Sequence, residues 1–249
     1  AKKLKVIGRA GAGLDNVDLP AATKRGIIVM NTPGGNTIST AEHTFAMILG
    51  VSRNLLQSGS ALKRGAWDRK KYTGRELNGK TLGVVGLGRI GREVALRGEA
   101  FGMKVIAYDP LLSADKIREY GVEPAEFKAL LKRADYITVH TPLTSETRHM
   151  LSDDEFKLMK KGVRVVNCAR GGIIDEVALT KAIRSGKVGG AALDVFETEP
   201  PDTNGELLKF DQVVVTPHLG ASTTEAQRSV AVGVAIGVRD ALLDRGIRN

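Results

Sequence analysis

From residue 81 onward, short apolar runs alternate with amphipathic stretches. The runs at 82–85, 105–108, 135–140, 163–169, 190–195 and 212–216 have the length and the Val/Ile content of buried strands. Between them, apolar residues recur at three- and four-residue spacing. Over 89–101, Ile90, Val94, Ala95 and Phe101 share one face. Further helices are predicted at 113–120 and 125–132, then at 152–159, which opens with a cap and an acidic first turn, and at 176–186, closed by Gly186. A last helix, capped near Ser222 or Thr223, runs to about residue 243. This alternation predicts an α/β fold built on a doubly wound parallel sheet. Before residue 81 the pattern is sparser. A strand at 4–9 enters the glycine-rich turn GRAGAGLDN, and a second strand follows at 27–30. Ser39 with Glu42 reads as a capping box for one long helix, with Phe45, Ile48, Leu49, Leu55 and Leu56 at helical spacing to about residue 62.

The stretch 81–109 combines strand, glycine turn, helix, strand and acid in one unit. That context turns a common G-x-G-x-x-G into a dinucleotide-binding fingerprint. Gly86 permits the tight turn, Gly88 lets a backbone approach a pyrophosphate, and Gly91 lets the helix lie close to the strand. The helix start near Arg89 offers unpaired N–H groups and a positive dipole end to phosphates. Asp109 is placed to accept hydrogen bonds from ribose hydroxyls. A carboxylate there repels a 2′-phosphate, and Pro110-Leu111-Leu112 offers no arginine to welcome one, so NAD is expected over NADP.

Composition narrows the function classes. Aromatics make up 4% of the chain, so the core must be aliphatic, as a helix-covered parallel sheet requires. The net charge of +9 fits a solvated surface or a field that attracts anionic ligands. The basic residues are dispersed, apart from KRGAWDRKK at 63–71, and lack the dense stripe with interleaved aromatics of a nucleic-acid module. One cysteine, Cys168, excludes an intrachain disulfide framework and fits a reducing, cytoplasmic compartment. No run approaches the roughly 20 apolar residues of a membrane span, no signal segment is read at the start, and no metal-ligand spacing occurs.

Polar residues cluster where strands end: Asp109, His140, Thr141, Arg170, Asp194 and His218. In doubly wound sheets that edge is where ligands bind. A guanidinium can grip a carboxylate bidentately, a histidine can take a hydroxyl proton, and a carboxylate beside that histidine orients it. Taken singly these residues have plainer readings. Arg170 suits an ion pair, Glu199 a solvated loop, His218 a helix cap, and Cys168 a small core position.

The motifs RAGAGLDNVDL, MNTPGGN, ELNGKTLGVVGLGRIG, HTPLTSETRHML, VRVVNCARGG, ALDVF and PHLGAST together resemble the D-isomer-specific 2-hydroxyacid dehydrogenases, and within them the phosphoglycerate-oxidising branch. The resemblance spans nearly the whole chain. It implies NAD-linked oxidation of a D-2-hydroxy acid, with Arg170 on the carboxylate, His218 as acid/base and Glu199 in support. It places Arg89 and Ile90 on the pyrophosphate and Asp109 on the ribose. Thr141, Cys168 and Ala169 would line the cofactor, and Asp194 would face the nicotinamide amide. Pro110, His140, Pro142, Gly220 and Ala221, with Arg170 and His218, complete the expected lining. Arg9, Ala10, Gly11, Ala12 and Gly13 resemble the loop that receives the substrate carboxylate, with Arg9 a candidate phosphate contact. By the same resemblance, 33–221 is the NAD-binding domain, and 1–32 with 222–249 are part of a flavodoxin-like substrate domain. The family's substrate domain normally begins before a segment such as LKVIGRAGAG, so weak or no turnover is expected of this chain alone. The helix at 39–62 and the loop around Trp67 resemble a dimerisation region, which makes a homodimer or homotetramer the expected assembly, with a small anionic molecule as substrate. Two alternatives stay open. One is another D-2-hydroxy acid, such as glycerate or lactate, as substrate. The other is a corepressor of the C-terminal-binding type, which shares this fold and the three polar positions and uses NAD as a dimerisation signal, although NCARGG and RAGAGLDNVD lie nearer the phosphoglycerate enzymes. Formate dehydrogenase is disfavoured, because that enzyme carries glutamine where this chain has Glu199.

Overall fold

A computed structural model describes residues 3–247. The chain divides into two units, Ala1–Thr40 with Gly220–Asn249, and Ala41–Leu219. The outer ends of the expected domain spans, residues 1–2 and 248–249, lie outside the described residues.

In chain order, β1 (Val6–Gly8), α1 (Leu19–Lys24) and β2 (Ile28–Met30) come first. They are followed by α2 (Thr37–Arg53), α3 (Leu55–Lys63), β3 (Thr81–Val85), α4 (Arg89–Ala100) and β4 (Lys104–Tyr108). Then come α5 (Ala114–Glu119), β5 (Glu123–Pro124), α6 (Phe127–Arg133), β6 (Tyr136–Val139), α7 (Asp153–Leu158) and β7 (Val163–Asn167). The rest is α8 (Glu176–Arg184), β8 (Val188–Leu193), a 3-10 turn (Leu207–Lys209), β9 (Val213–Val215) and α9 (Thr224–Leu242).

In the larger unit, seven parallel strands run in the order β5-β4-β3-β6-β7-β8-β9. The doubly wound topology expected from the alternating pattern is present. Because side chains alternate across a strand, the sheet has two apolar faces. Leu82, Val84, Val105 and Ala107 pack with Phe45, Ile48 and Val51 of α2 and with Val94 and Ala95 of α4. Val85, Ile106, Ile137 and Val139 pack with Leu130 and Leu131 of α6, Phe156 of α7 and Leu179 and Ile183 of α8. Both layers are largely aliphatic, as the low aromatic content requires.

In the smaller unit, β1 and β2 pair in parallel, Val6 opposite Ile28. Helix α9 lies against β1 so closely that a Cβ on Gly8 would fall 2.5 Å from Val238 Cγ2 and 2.7 Å from Val234 Cγ2.

Several expectations need correction. The helix expected from Ser39 begins at Thr37, with the Thr40 N–H already bonded to the Asn36 carbonyl at 3.0 Å. Ser39 therefore sits inside the first turn, and its hydroxyl donates to the Gly220 carbonyl at 2.7 Å instead of forming a cap. Glu42 faces Arg97 at 3.8 Å. Nor does one helix run to residue 62. Asn54 adopts a left-handed conformation, φ 53°, which breaks the rod into α2 and α3; asparagine tolerates that region better than most side chains. On α4 the buried face is Gly91, Val94, Ala95 and Gly98, while Phe101 is 46% exposed and leans on the Phe45 ring at 4.9 Å. Elements α1, β5 and the 3-10 turn are too short to register as periodic patterns.

Candidate active site

The order of strands puts β3 between β4 and β6, so the connections from β3 leave in opposite directions and a crevice opens at its carboxyl end. The glycine turn fills that position. Gly86 has φ 91°, and its N–H donates to the Tyr108 carbonyl at 2.8 Å. A Cβ there would meet the His140 carbonyl carbon and oxygen at 2.8 Å, so the turn lies directly on the end of β6. A Cβ on Gly91 would fall 2.1 Å from the Gly86 carbonyl oxygen, which presses α4 onto the turn. Gly88 is different: a Cβ there would meet nothing within 4 Å. As the N-cap of α4 it supplies no side-chain acceptor to the first N–H groups. Arg89 is exposed beside it and Ile90 half-buried.

Asp109 follows β4 directly. Its Oδ2 accepts from Leu87 N at 2.8 Å and its Oδ1 from Leu111 N at 2.9 Å. Each oxygen keeps lone-pair capacity for a further donor, because a carboxylate has about four acceptor sites. Pro110 beside it is exposed. At the end of β6, His140 Nε2 lies 2.9 Å from Thr138 Oγ1. Its Nδ1 is shut away from solvent without a partner, as is Thr141 Oγ1, while Pro142 beyond them is exposed. Desolvation pulls the His140 pKa down to about 4, so the ring is neutral at physiological pH. A crevice with an open glycine, an uncapped helix start, an acid with spare acceptors and two unpartnered polar atoms fits a dinucleotide.

The ends of β7, β8 and β9 carry the remaining chemistry. Asn167 shapes the first loop, accepting from Ala169 N at 3.0 Å and donating to the Arg170 carbonyl at 2.8 Å. Arg170 Nη1 donates to the Ala169 carbonyl at 2.6 Å. Cys168 is buried, and burial pushes its thiol up to about 12. Asp194 is completely buried, and its Oδ1 accepts from Leu219 N at 2.7 Å and from Thr216 Oγ1 at 2.5 Å. His43 Nε2 lies 3.1 Å from the same oxygen. The Asp194 carbonyl accepts from His218 N at 2.9 Å, so this one residue holds the turn on which His218 stands. His218 is half-exposed with φ 56°, and its Nδ1 meets Glu199 Oε2 at 2.7 Å. Glu199 is held in turn by Phe196 N, which donates to its Oε1 at 3.2 Å.

The structure therefore joins Glu199 to His218, Asp194 to the His218 turn, and Gly86 to His140 and Thr141. His43 and Thr216 belong to the same network and were missed in the sequence. The available signal was a histidine set among apolar positions of α2, in AEHTFAMIL. Gly220, Ala221 and Arg9–Gly13 lie in the smaller unit. There Gly11 N donates to Thr32 Oγ1 at 3.0 Å, and Asn31 Nδ2 donates to the Ala12 carbonyl at 2.7 Å. These bonds tie the glycine loop after β1 to the residues after β2. Arg9 folds over that loop, its Nη1 donating to the Ala10 carbonyl at 2.8 Å. Among the described residues no group of three or more His, Cys, Asp or Glu could hold a metal ion, and no helix is long and apolar enough to cross a membrane.

Residues 45–220 match the family of the D-isomer specific 2-hydroxyacid dehydrogenase, NAD binding domain. D-3-phosphoglycerate dehydrogenase of Archaeoglobus fulgidus is 53% identical over 249 residues, 100% of this chain and 47% of that protein. Its namesake in Bacillus subtilis is 56% identical over 232 residues, 93% of this chain and 44% of that one. The chain thus spans about half the length of the curated relatives it matches. Among solved structures, a glyoxylate reductase from Paecilomyes thermophila superposes with a TM-score of 0.92 at 36% identity, covering 100% of this chain and 75% of that one. D-lactate dehydrogenase from Aquifex aeolicus, complexed with NAD and lactic acid, gives 0.85 at 37% identity, covering 97% and 77%. The chain belongs to the D-isomer-specific 2-hydroxyacid dehydrogenase family, and the greater part of it is that family's NAD-binding domain.

Proposed function

We propose that the protein oxidises a D-2-hydroxy acid with NAD, and that the acid is D-3-phosphoglycerate, yielding 3-phosphohydroxypyruvate as in serine biosynthesis. The observation that carries the reading is the Glu199–His218 pair at 2.7 Å, standing at the edge of the sheet that carries the glycine turn. When bound, the nicotinamide supplies a two-electron acceptor for the hydride from C2 of the acid. His218 takes the hydroxyl proton through its Nε2, while Glu199 on Nδ1 fixes the orientation of the ring. Arg170 holds the carboxylate in the larger unit, and the Arg9–Gly13 loop is the substrate-receiving segment of the smaller unit. Asp109 receives the ribose hydroxyls, and Gly88 with the start of α4 receives the pyrophosphate.

The segments 1–32 and 222–249 serve as part of the substrate domain. Leu55, Leu56 and Leu62 of α3 and Trp67, 77% exposed, form the apolar surface through which two copies pair. A single buried thiol suits the reducing cytoplasm.

The test is NADH formation by the full-length protein over a panel of D-2-hydroxy acids, with and without a phosphate group. Phosphoglycerate should give the highest kcat/KM, and His218→Asn should lower kcat by about 100-fold or more. Asparagine keeps the left-handed backbone, so the loss reports chemistry rather than folding. Tight NADH binding with no oxidation of any acid would overturn the reading in favour of a binding protein.

A further inference from the structure

Two of the loops that carry the reacting side chains in the larger unit are 167–172, with Arg170, and 194–201, with Glu199. Their backbones touch: a Cβ on Gly171 would fall 1.7 Å from the Phe196 carbonyl oxygen and 2.9 Å from Glu197 N. At their base the Asp194 N–H donates to the Asn167 carbonyl at 2.9 Å, but around Gly171 and Glu197 the approach is steric. His149 stands at the junction. Its backbone N–H donates to the Gly172 carbonyl at 2.7 Å. Its imidazole reaches the other loop, with Nε2 3.2 Å from Glu197 Oε1, and Nδ1 lies 3.9 Å from Asp175 Oδ2. The Nε2 contact has ion-pair distance without hydrogen-bond alignment, and the atom is shut away from water.

Around this ring three carboxylates converge. Glu197 Oε1 accepts from Glu176 N at 3.0 Å, and Glu176 Oε1 accepts from Glu197 N at 2.7 Å, so the two residues clasp each other through side chain and backbone. Burial, and then the charges of Glu197 and Asp175, hold the Glu176 carboxyl above its ordinary range. The His149 ring stands among these carboxylates, with Nε2 nearest Glu197 and Nδ1 nearest Asp175. The backbone of His149 is left-handed, φ 53°, a conformation that aims the ring at the clasp.

We propose that His149 is a positioning residue that clamps the Arg170 loop to the Glu199 loop. It grips the first by its backbone and the second by its ring. Glu197 is one residue from Phe196, whose N–H holds Glu199, and Glu199 holds His218. A loosened Glu197 thus reaches the acid/base pair through three links. The catalytic consequence rests on the oxidoreductase reading above; the mechanical one does not.

Two variants of the full-length protein test it. His149→Asn keeps the left-handed backbone but is too short to reach Glu197. His149→Gln restores an N–H donor at that reach. In His149→Asn, hydrogen exchange of the Phe196 and Glu197 amides should quicken about tenfold. Its kcat on the D-hydroxy acid should fall about tenfold, with KM for NAD within about twofold of wild type. His149→Gln should recover most of both. Unchanged exchange in His149→Asn overturns the proposal, and so does a loss of kcat that His149→Gln fails to recover. If the wild-type protein oxidises no D-hydroxy acid, the functional reading falls, and amide exchange alone then decides the clamp.

Discussion

Replacing Gly91 by alanine should separate packing from ligand binding at the glycine turn. The added Cβ would lie 2.1 Å from the Gly86 carbonyl oxygen and 3.1 Å from its carbon. Ordinary contacts begin near 3.4 Å, so the atoms must part by more than an ångström. The obstacle is backbone, and that backbone is anchored by the Gly86 N–H to Tyr108, so it cannot swing aside as a side chain would. Overpacking of this kind costs about 1–3 kcal/mol. Alanine returns roughly 0.5–1 kcal/mol as the better helix former. The net loss is about 1–2 kcal/mol, which lowers the melting midpoint by about 2–8 °C for a domain of this size. Gly88→Ala is the control. Its Cβ meets nothing within 4 Å and its φ of −68° suits any residue, so stability should stay within about 0.5 kcal/mol. NADH affinity should nevertheless fall about tenfold, because that open space is where a pyrophosphate must approach. Thermal melts and NADH fluorescence titrations on both variants give the four numbers. Identical melting of the two variants, or wild-type NADH affinity in Gly88→Ala, would refute the reasoning.

Other outcomes follow from the ionisable groups. The His140 pKa sits at about 4 in the folded chain against 6.5 as the ordinary value, so the unfolded chain binds more protons between these limits. Stability should be intact above pH 6.5 and decline as pH falls toward 4, by about 2 kcal/mol at pH 5 relative to pH 7. Urea denaturation of wild type and His140→Gln at both pH values checks this, and equal slopes in the two proteins would contradict it. Cys168, buried with its thiol pushed up to about 12, should resist alkylation in the native state and react only on unfolding. Rapid modification by a thiol reagent under native conditions would show otherwise. Glu199→Gln keeps a hydrogen bond to His218 but removes its charge, and should lower kcat about 10- to 100-fold with little change in NADH affinity. An unchanged kcat would remove Glu199 from the mechanism.

Much of this was readable from residues alone, for identifiable reasons. Strands buried on both faces leave continuous apolar runs, and β3, β4, β6 and β7 were found because of that. The glycine turn was legible because its constraints are local: a positive φ at Gly86 and a close approach at Gly91 are satisfied within a few residues. Failures arose where a distant partner decided the outcome. Ser39 looks like a cap until the Gly220 carbonyl takes its hydroxyl. Phe101 keeps helical phase with Val94, yet Gly98 is what lets α4 sit close, within 2.8 Å of Leu82 for an added Cβ. His43 and His149 find their partners Asp194 and Glu197 at sequence separations of 151 and 48, a pairing that periodicity does not encode. Asn54 is subtler, since a break of one residue leaves the apolar spacing on either side intact.

The division of the smaller unit between 1–40 and 220–249 has a consequence for how the chain is made. A ribosome releases β1 and β2 before the larger unit, while α9, which covers β1, emerges roughly 190 residues later, or about 10–40 s at ordinary elongation rates. Throughout that interval β1 lacks the helix that packs on it, and the larger unit can fold before the smaller one has its second half.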